Sequence, residues 1–217
     1  MTEQELKKLV EAGEGQHIEF KKKIHHVDKL LKEIVAFSNA DGGTLLVGVQ
    51  DNKLITGVKD TNEVISVLTK AITELIKPKI RYHFNVVPVT LNRNVVSLSV
   101  LSSRCKPHYV LPITNSGKRM AYYRFGEKSI QASHELLKVI KFRTKSRNGY
   151  LLKYSDDVRR VLQFLNKRRS GTLASFSEFA GLNTPTASRT LVDLVLANVL
   201  KLIPRDNEDL YVLNDRF

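Results

Sequence analysis

The chain has 217 residues, with 35 lysines and arginines against 22 aspartates and glutamates, a formal net charge of +13. Apolar residues make up 42% and charged residues 26%, which is enough for a hydrophobic core and excludes disorder as the main state, along with collagen-like and disulfide-rich classes. No apolar run is long enough to span a bilayer, the polar start Thr2, Glu3, Gln4, Glu5 lacks a signal-peptide core, and the single Cys105 suits a reducing compartment; the expectation is a soluble cytoplasmic protein with an anionic partner, nucleic acid rather than a membrane.

In chain order, Glu3 to Ala12 carries Leu6, Leu9 and Val10 on one face of a short helix, and Gly13 ends it in the manner of a C′ glycine. His17 to Lys21 reads as a short strand. Asp28 is expected to cap a second helix through about Ser38, with Leu30, Leu31, Ile34, Val35 and Phe37 inward. Asn39 to Gly43 is a turn, and Thr44 to Val49 a buried strand. Gln50 to Lys53 turns again, with Leu54 to Val58 as the hairpin partner. A helix is predicted over Glu63 to Ile76, stopped by Pro78. Residues 80–91 and 94–101 are β-rich around the turn Asn92 to Asn94. Tyr109 to Ile113 and Met120 to Phe125 suggest two more strands, and His134 to Phe142 a helix. Strands and helices without regular βαβ alternation predict an α+β fold with a mixed sheet.

Beyond this, Ser155 caps a helix from Asp156 to about Lys167, with Val158, Val161, Leu162 and Leu165 inward. Ser175 to Glu178 has the pattern of a capping box, Gly181 turns the chain, and Thr184-Pro185 marks a strong helix start. That helix runs to about Ala197, and two strands, Val199 to Pro204 and Leu210 to Leu213, flank a polar turn. Helix, short helix, turn, helix and hairpin is the winged helix-turn-helix pattern. The turn-rich segment Lys145 to Tyr150 reads as a linker, so the expected domains are 1–147 and 148–217, with the boundary near Asn148. From Lys138 to Arg169 there are eleven basic and two acidic residues, most of the net charge.

In a winged helix the start of the second helix of the helix-turn-helix enters the major groove. Thr186, Ser188 and Arg189 stand there, suited to phosphates and base edges, while Arg168, Arg169 and Lys201 would grip backbone phosphates. The acidic turn residues Asp206, Glu208 and Asp209 argue against a DNA-binding wing, and a protein-docking module is the alternative. Near the N-terminus, Lys21, Lys22 and Lys23 would hold phosphates, and Glu14, Glu19 and Asp51 would bind a divalent metal and activate water against a phosphodiester if they converge. Arg124, between aromatic residues, would bind phosphate or cross-link strands. The Asn39 to Gly43 turn lacks the following Gly-Lys-Ser/Thr of a P-loop, so ATP is not supported. His25 and His26 read as solvated or phosphate-facing, and Cys105 as a small buried residue.

Glu14-x-x-x-x-Glu19-Phe-Lys, Ile34 to Gly43, Leu46 to Asp51, Ile55-x-Gly57, Lys106 to Tyr109 and Tyr122 to Gly126 together resemble the Schlafen AlbA_2 domain, also described as a divergent AAA-type or DNA-binding domain, over roughly residues 5–140. The resemblance implies a mixed sheet with helices. Bacterial members often carry a C-terminal winged helix and are described as transcriptional regulators. In nuclease-active Schlafens two glutamates and an aspartate cut RNA, and Glu14, Glu19 and Asp51 fall on those motif positions. The zinc site of vertebrate members is not implied, because only Cys105 and His108 stand near its place. A homodimer would supply the second half that the two-lobed vertebrate core has in one chain. The resulting reading is a DNA-binding transcriptional regulator, with no required cofactor and duplex DNA as partner. The rivals are a Mg²⁺- or Mn²⁺-dependent nuclease and a non-catalytic docking module.

Overall fold

In the computed structural model, which describes residues 1–112, 117–146 and 149–214, the chain divides into two units, Met1–Gln131 and Ala132–Phe217. The predicted strand end at Ile113 and the linker residues Arg147 and Asn148 lie outside the described residues. Among the described residues no helix is long and apolar enough to cross a membrane.

The first unit runs α1 (Glu3–Ala12), β1 (Ile18–Lys21), α2 (Val27–Asn39), β2 (Gly42–Val47), α3 (Thr61–Leu75), β3 (Ile76–Lys77), β4 (Tyr82–Thr90), β5 (Arg93–Leu101), β6 (Tyr109–Val110), β7 (Tyr122–Phe125) and β8 (Lys128–Gln131). Its main sheet has the order β1-β2-β5-β4, with β1 parallel to β2 and the other pairs antiparallel. Strand alternation divides the core in two. On one face Leu45, Val47, Val96, Leu98 and Val100 meet the apolar stripes of α2 and α3. On the other, Phe20, Leu46, Val87 and Val95 meet Leu6 and Val10 of α1. The mixed α+β class of the sequence reading is what the unit shows.

Local chemistry accounts for the boundaries. Thr2 and Glu5 form a reciprocal capping box on α1, and Asp60 caps α3 through the Glu63 N–H. The expected cap at Asp28 is a correction: α2 starts earlier, at Val27, its N-cap is His26 with no side-chain bond, and Asp28 sits in the first turn. Leu54 to Val58 is not a strand beside β2 either. It makes single bridges, Val49 to Ile55 and Val58 to Asn94, because the edge it would need is taken by β5.

The second unit contains α4 (His134–Lys145), α5 (Asp156–Arg168), β9 (Ser170–Gly171), α6 (Leu173–Ala180), α7 (Thr184–Leu196), β10 (Leu200–Ile203) and β11 (Leu210–Leu213). Strands β10, β11 and β9 form one antiparallel sheet in that order. Helix α4, placed before the expected boundary at 147/148, belongs to this unit, and its Val139 joins a core of Val161, Phe164, Phe176, Leu191 and Tyr211. The whole basic run from Lys138 to Arg169 therefore lies in one unit. The capping box of α6 is formed by Thr172 and Ser175 rather than by Ser175 and Glu178, and the cap of α7 is Asn183, which accepts the Thr186 N–H at 2.9 Å.

Candidate functional site

The alternation of β1 sends Phe20 into the core and leaves Glu19 and Lys21 together on the opposite face. Glu14, on the turn before it, accepts the Phe20 N–H at 2.7 Å. Into this corner β7 inserts Arg124, whose side chain is fully buried. Its Nε and Nη2 donate to the Gly15 carbonyl at 3.1 and 2.7 Å, and Nη2 also to the Ile18 carbonyl at 3.1 Å. Nη1 reaches Glu33 Oε2 of α2 at 2.9 Å and Glu19 Oε2 at 3.0 Å. Ser129 of β8 donates to the same Glu33 oxygen, and the Lys21 ammonium binds Glu19 Oε1 and the Phe20 carbonyl. A buried guanidinium is tolerable only when its donors and its charge are matched, and here two glutamates and two carbonyls do so. Of the two roles the sequence left open for Arg124, phosphate binding and strand cross-linking, its burial and its partners fit the cross-link. Lys21 is likewise engaged, whereas Lys22 and Lys23 are exposed.

Of the three sequence-predicted carboxylates, Glu14 lies within electrostatic reach of both Glu19 and Asp51. Burial lifts the carboxyl of Glu14 above its ordinary range; the charges of Glu19 and Asp51 add to the rise, while the Phe20 N–H and Lys21 oppose it. Burial raises Glu33 too, against the Ser129 bond and Arg124. The donor set does not fit a divalent ion, however. Each oxygen of Glu19 is already paired with a cation, Asp51 is exposed, and among the described residues no group of three or more His, Cys, Asp or Glu is arranged to hold a metal. The cluster is balanced by Arg124 and Lys21 instead.

A carboxyl raised in the folded state holds its proton more tightly there than in the unfolded chain. Stability therefore falls as pH rises from the ordinary carboxyl range through the raised value, and the loss remains above it. Glu14→Gln keeps an acceptor for Phe20 and removes the ionisation, so the variant is expected to melt higher than the native chain at about pH 7 and equally at about pH 4. A difference of the same size at both pH values would place its origin elsewhere.

The Asn39 to Gly43 turn serves the fold. The Asn39 side chain donates to the carbonyls of His108 and Tyr122 at 3.0 and 2.8 Å and accepts the His108 N–H at 2.7 Å. Gly42 adopts φ +84°, and a Cβ on Gly43 would lie 2.3 Å from the Phe37 ring. Cys105 is exposed, not buried as expected, and His25 and His26 are exposed. Sequence reasoning missed Glu33, Ser129, Asn39 and His108; each acts on a partner distant in the chain.

In the second unit the basic run is sorted by use. Arg143 donates to the Val195 carbonyl at 3.3 Å and Arg160 to the Ala180 carbonyl at 3.1 Å, serving the ends of α7 and α6. Lys138, Lys141, Lys145, Lys153, Lys167, Arg168 and Arg169 are exposed. At the start of α7, Pro185 and Arg189 are exposed and Thr186 is half-buried. Ser188 is corrected: only 5% exposed, it donates to Glu135 of α4, because it lies on the stripe of Leu191, Val192 and Val195. Two acids of the β10–β11 turn also point to the protein. Glu208 accepts the Ala174 N–H at 3.0 Å, and the buried Asp209 accepts from Ser133, the cap of α4.

The family model described as Schlafen, AlbA_2 matches residues 14–133, more than half of the chain and nearly all of the first unit. No curated protein matches the chain. Among solved structures, the N-terminal domain of a RecG-related protein from Nitrosomonas europaea is 19% identical over 59% of this chain and 92% of its own, with a TM-score of 0.42. The DIP2311 protein from Corynebacterium diphtheriae is 16% identical over 82% of this chain, with a TM-score of 0.47; the match spans 32% of that protein's chain.

Proposed function

The chain belongs to the Schlafen AlbA_2 family, and from that premise we propose that it is a nucleic-acid-binding transcriptional regulator whose second unit, a winged helix-turn-helix, reads duplex DNA. The order α5, α6, α7 and hairpin β10–β11, with β9 as a third strand, supports the winged-helix reading. The observation that carries the proposal is that the exposed start of α7 shares one unit with the basic run of α4 and α5. Laid in the major groove, α7 presents Arg189 as a bidentate donor to guanine and Thr186 to an adjacent phosphate. The exposed lysines and arginines of α4 and α5, with Lys22 and Lys23 of the first unit, supply sequence-independent phosphate contacts. With Glu208 and Asp209 engaged internally, the hairpin turn is less of an obstacle to the phosphate backbone than its composition suggests. A homodimer would place two copies of α7 on half-sites about 34 Å apart.

The test is selection of a preferred duplex from a random pool, followed by Arg189→Ala. The variant is expected to lose about 1–3 kcal/mol on the preferred site and to discriminate less at one base pair, with binding to random duplex little changed. Uniform weakening on all sequences would make Arg189 a phosphate contact only.

The nuclease reading rests on one observation, that the charges of Glu19 and Asp51 both reach Glu14, and is opposed by the pairing of Glu19 with Lys21 and Arg124. Incubation with tRNA and with single- and double-stranded DNA, with and without Mn²⁺, separates the two. Cleavage that disappears in Glu19→Ala would replace the regulator reading by the nuclease.

A further inference from the structure

The carboxyl ends of the parallel neighbours β1 and β2 lie on the same edge of the sheet, where Lys23 follows β1 and Gly48, just after β2, packs against Gly57. A cleft of about 590 Å³ lies there, within the usual size of small-molecule sites. Its apolar wall includes Ile24, Val58 and Val67, and its lining residues include no aromatic ring. Three cations border it from three segments: Lys23 after β1, Lys59 before α3 and Arg93 at the start of β5.

Arg93 is positioned by the fold. Its Nη1 donates to the Gly57 carbonyl at 3.2 Å, and Gly57 is required at that approach: it has φ +61°, and a Cβ there would lie 2.8 Å from the Arg93 Cβ. Of the two acids on the cleft, Asp60 is occupied as the cap of α3. The three cations exceed the two carboxylates, so an anion is favoured. A nucleic-acid strand would be expected to stack its bases on aromatic rings, and the aliphatic wall offers none.

We infer that this cleft binds a small aliphatic anion, a medium-length hydrocarbon chain lying on Ile24, Val58 and Val67 with a carboxylate or phosphate head between Lys59 and Arg93. The site lies in the first unit and does not depend on the DNA-reading proposal. Carboxylate and phosphate heads share the chemistry of an oxyanion accepting charge-assisted hydrogen bonds.

Calorimetric titration of the full chain with octanoate, octyl phosphate and octanol, each below its micellar concentration, tests the inference. At least one of the two anions is expected to bind saturably, which also identifies the head group, and octanol is expected to bind at least about tenfold more weakly. Lys59→Glu and Val67→Asp, both at exposed positions, should each weaken that anion about tenfold or more while leaving the melting temperature near native. The inference is overturned if neither anion binds, if octanol binds as well as the anions, or if folded Lys59→Glu and Val67→Asp proteins bind unchanged.

Discussion

Replacing Arg124 with methionine is expected to destabilise the first unit by about 3–5 kcal/mol, the usual consequence of removing one partner from a buried ionic cluster. The side chain is fully buried, and its removal leaves Glu19 and Glu33 facing each other with only Lys21 to compensate. It also leaves the Gly15 carbonyl without its two guanidinium donors, whereas the Ile18 carbonyl keeps the Gly15 N–H at 3.1 Å. Arg124→Lys is not expected to rescue, because one ammonium cannot span two carbonyls and two carboxylates that a planar fork reaches together. Adding Glu33→Gln to Arg124→Met should recover part of the loss, since the unpaired carboxylate is a large share of it. Urea unfolding followed by amide exchange at β1 and β7 reads the effect in this unit. An unchanged midpoint for Arg124→Met would mean that the cluster contributes nothing net, as some buried ion networks do when replaced by apolar groups.

The second large effect concerns duplex binding. If six to ten phosphates are contacted, affinity is expected to fall by about a thousandfold to a hundred-thousandfold between about 50 and 200 mM salt, because each neutralised phosphate releases counterions. The contributors expected to matter most are the exposed residues of α4 and α5, not Arg143 and Arg160, whose guanidinium groups serve helix carbonyls. Substituting Lys138, Lys141 and Lys145 by glutamine should therefore reduce the slope of log affinity against log salt by about 0.9 for each residue that touches a phosphate. Substituting Lys22 and Lys23 instead separates the two units: a larger change in slope there would move the phosphate-binding surface to the AlbA_2 domain. A flat salt profile in the native chain would sink the DNA-binding proposal and favour a docking module.

Much of the fold was legible because its signals are local. The period of Leu6 and Val10, the stop at Pro78, the asparagine turn before β5 and the proline at the start of α7 each act within a few residues, so the helices and main strands fall close to their predicted spans. Short strands were not legible. Ser170–Gly171 and Lys128–Gln131 have no periodicity of their own and exist only because β11 and β7 offer them an edge. The inward turn of Ser188 had a signal in the sequence, its spacing of three and four from Leu191 and Val192, but its hydroxyl suggested a surface.

The amino-acid sequence alone determined the α+β class of the first unit, the family, the concentration of positive charge between Lys138 and Arg169, and the presence of three carboxylates in the N-terminal third. Only the tertiary structure decided what faces those carboxylates. Arg124 meets Glu33 across 91 residues of chain and Gly15 across 109, and no periodicity or spacing can register a partner so distant. A charge's role depends on which opposite charge or solvent it meets, and that is set by how the strands and helices pack. The same packing placed α4 in the second unit, buried Asp209, tied the exposed Glu208 to the start of α6, and made the cleft lined by Lys59 and Arg93 from segments that nothing in their local sequence connects.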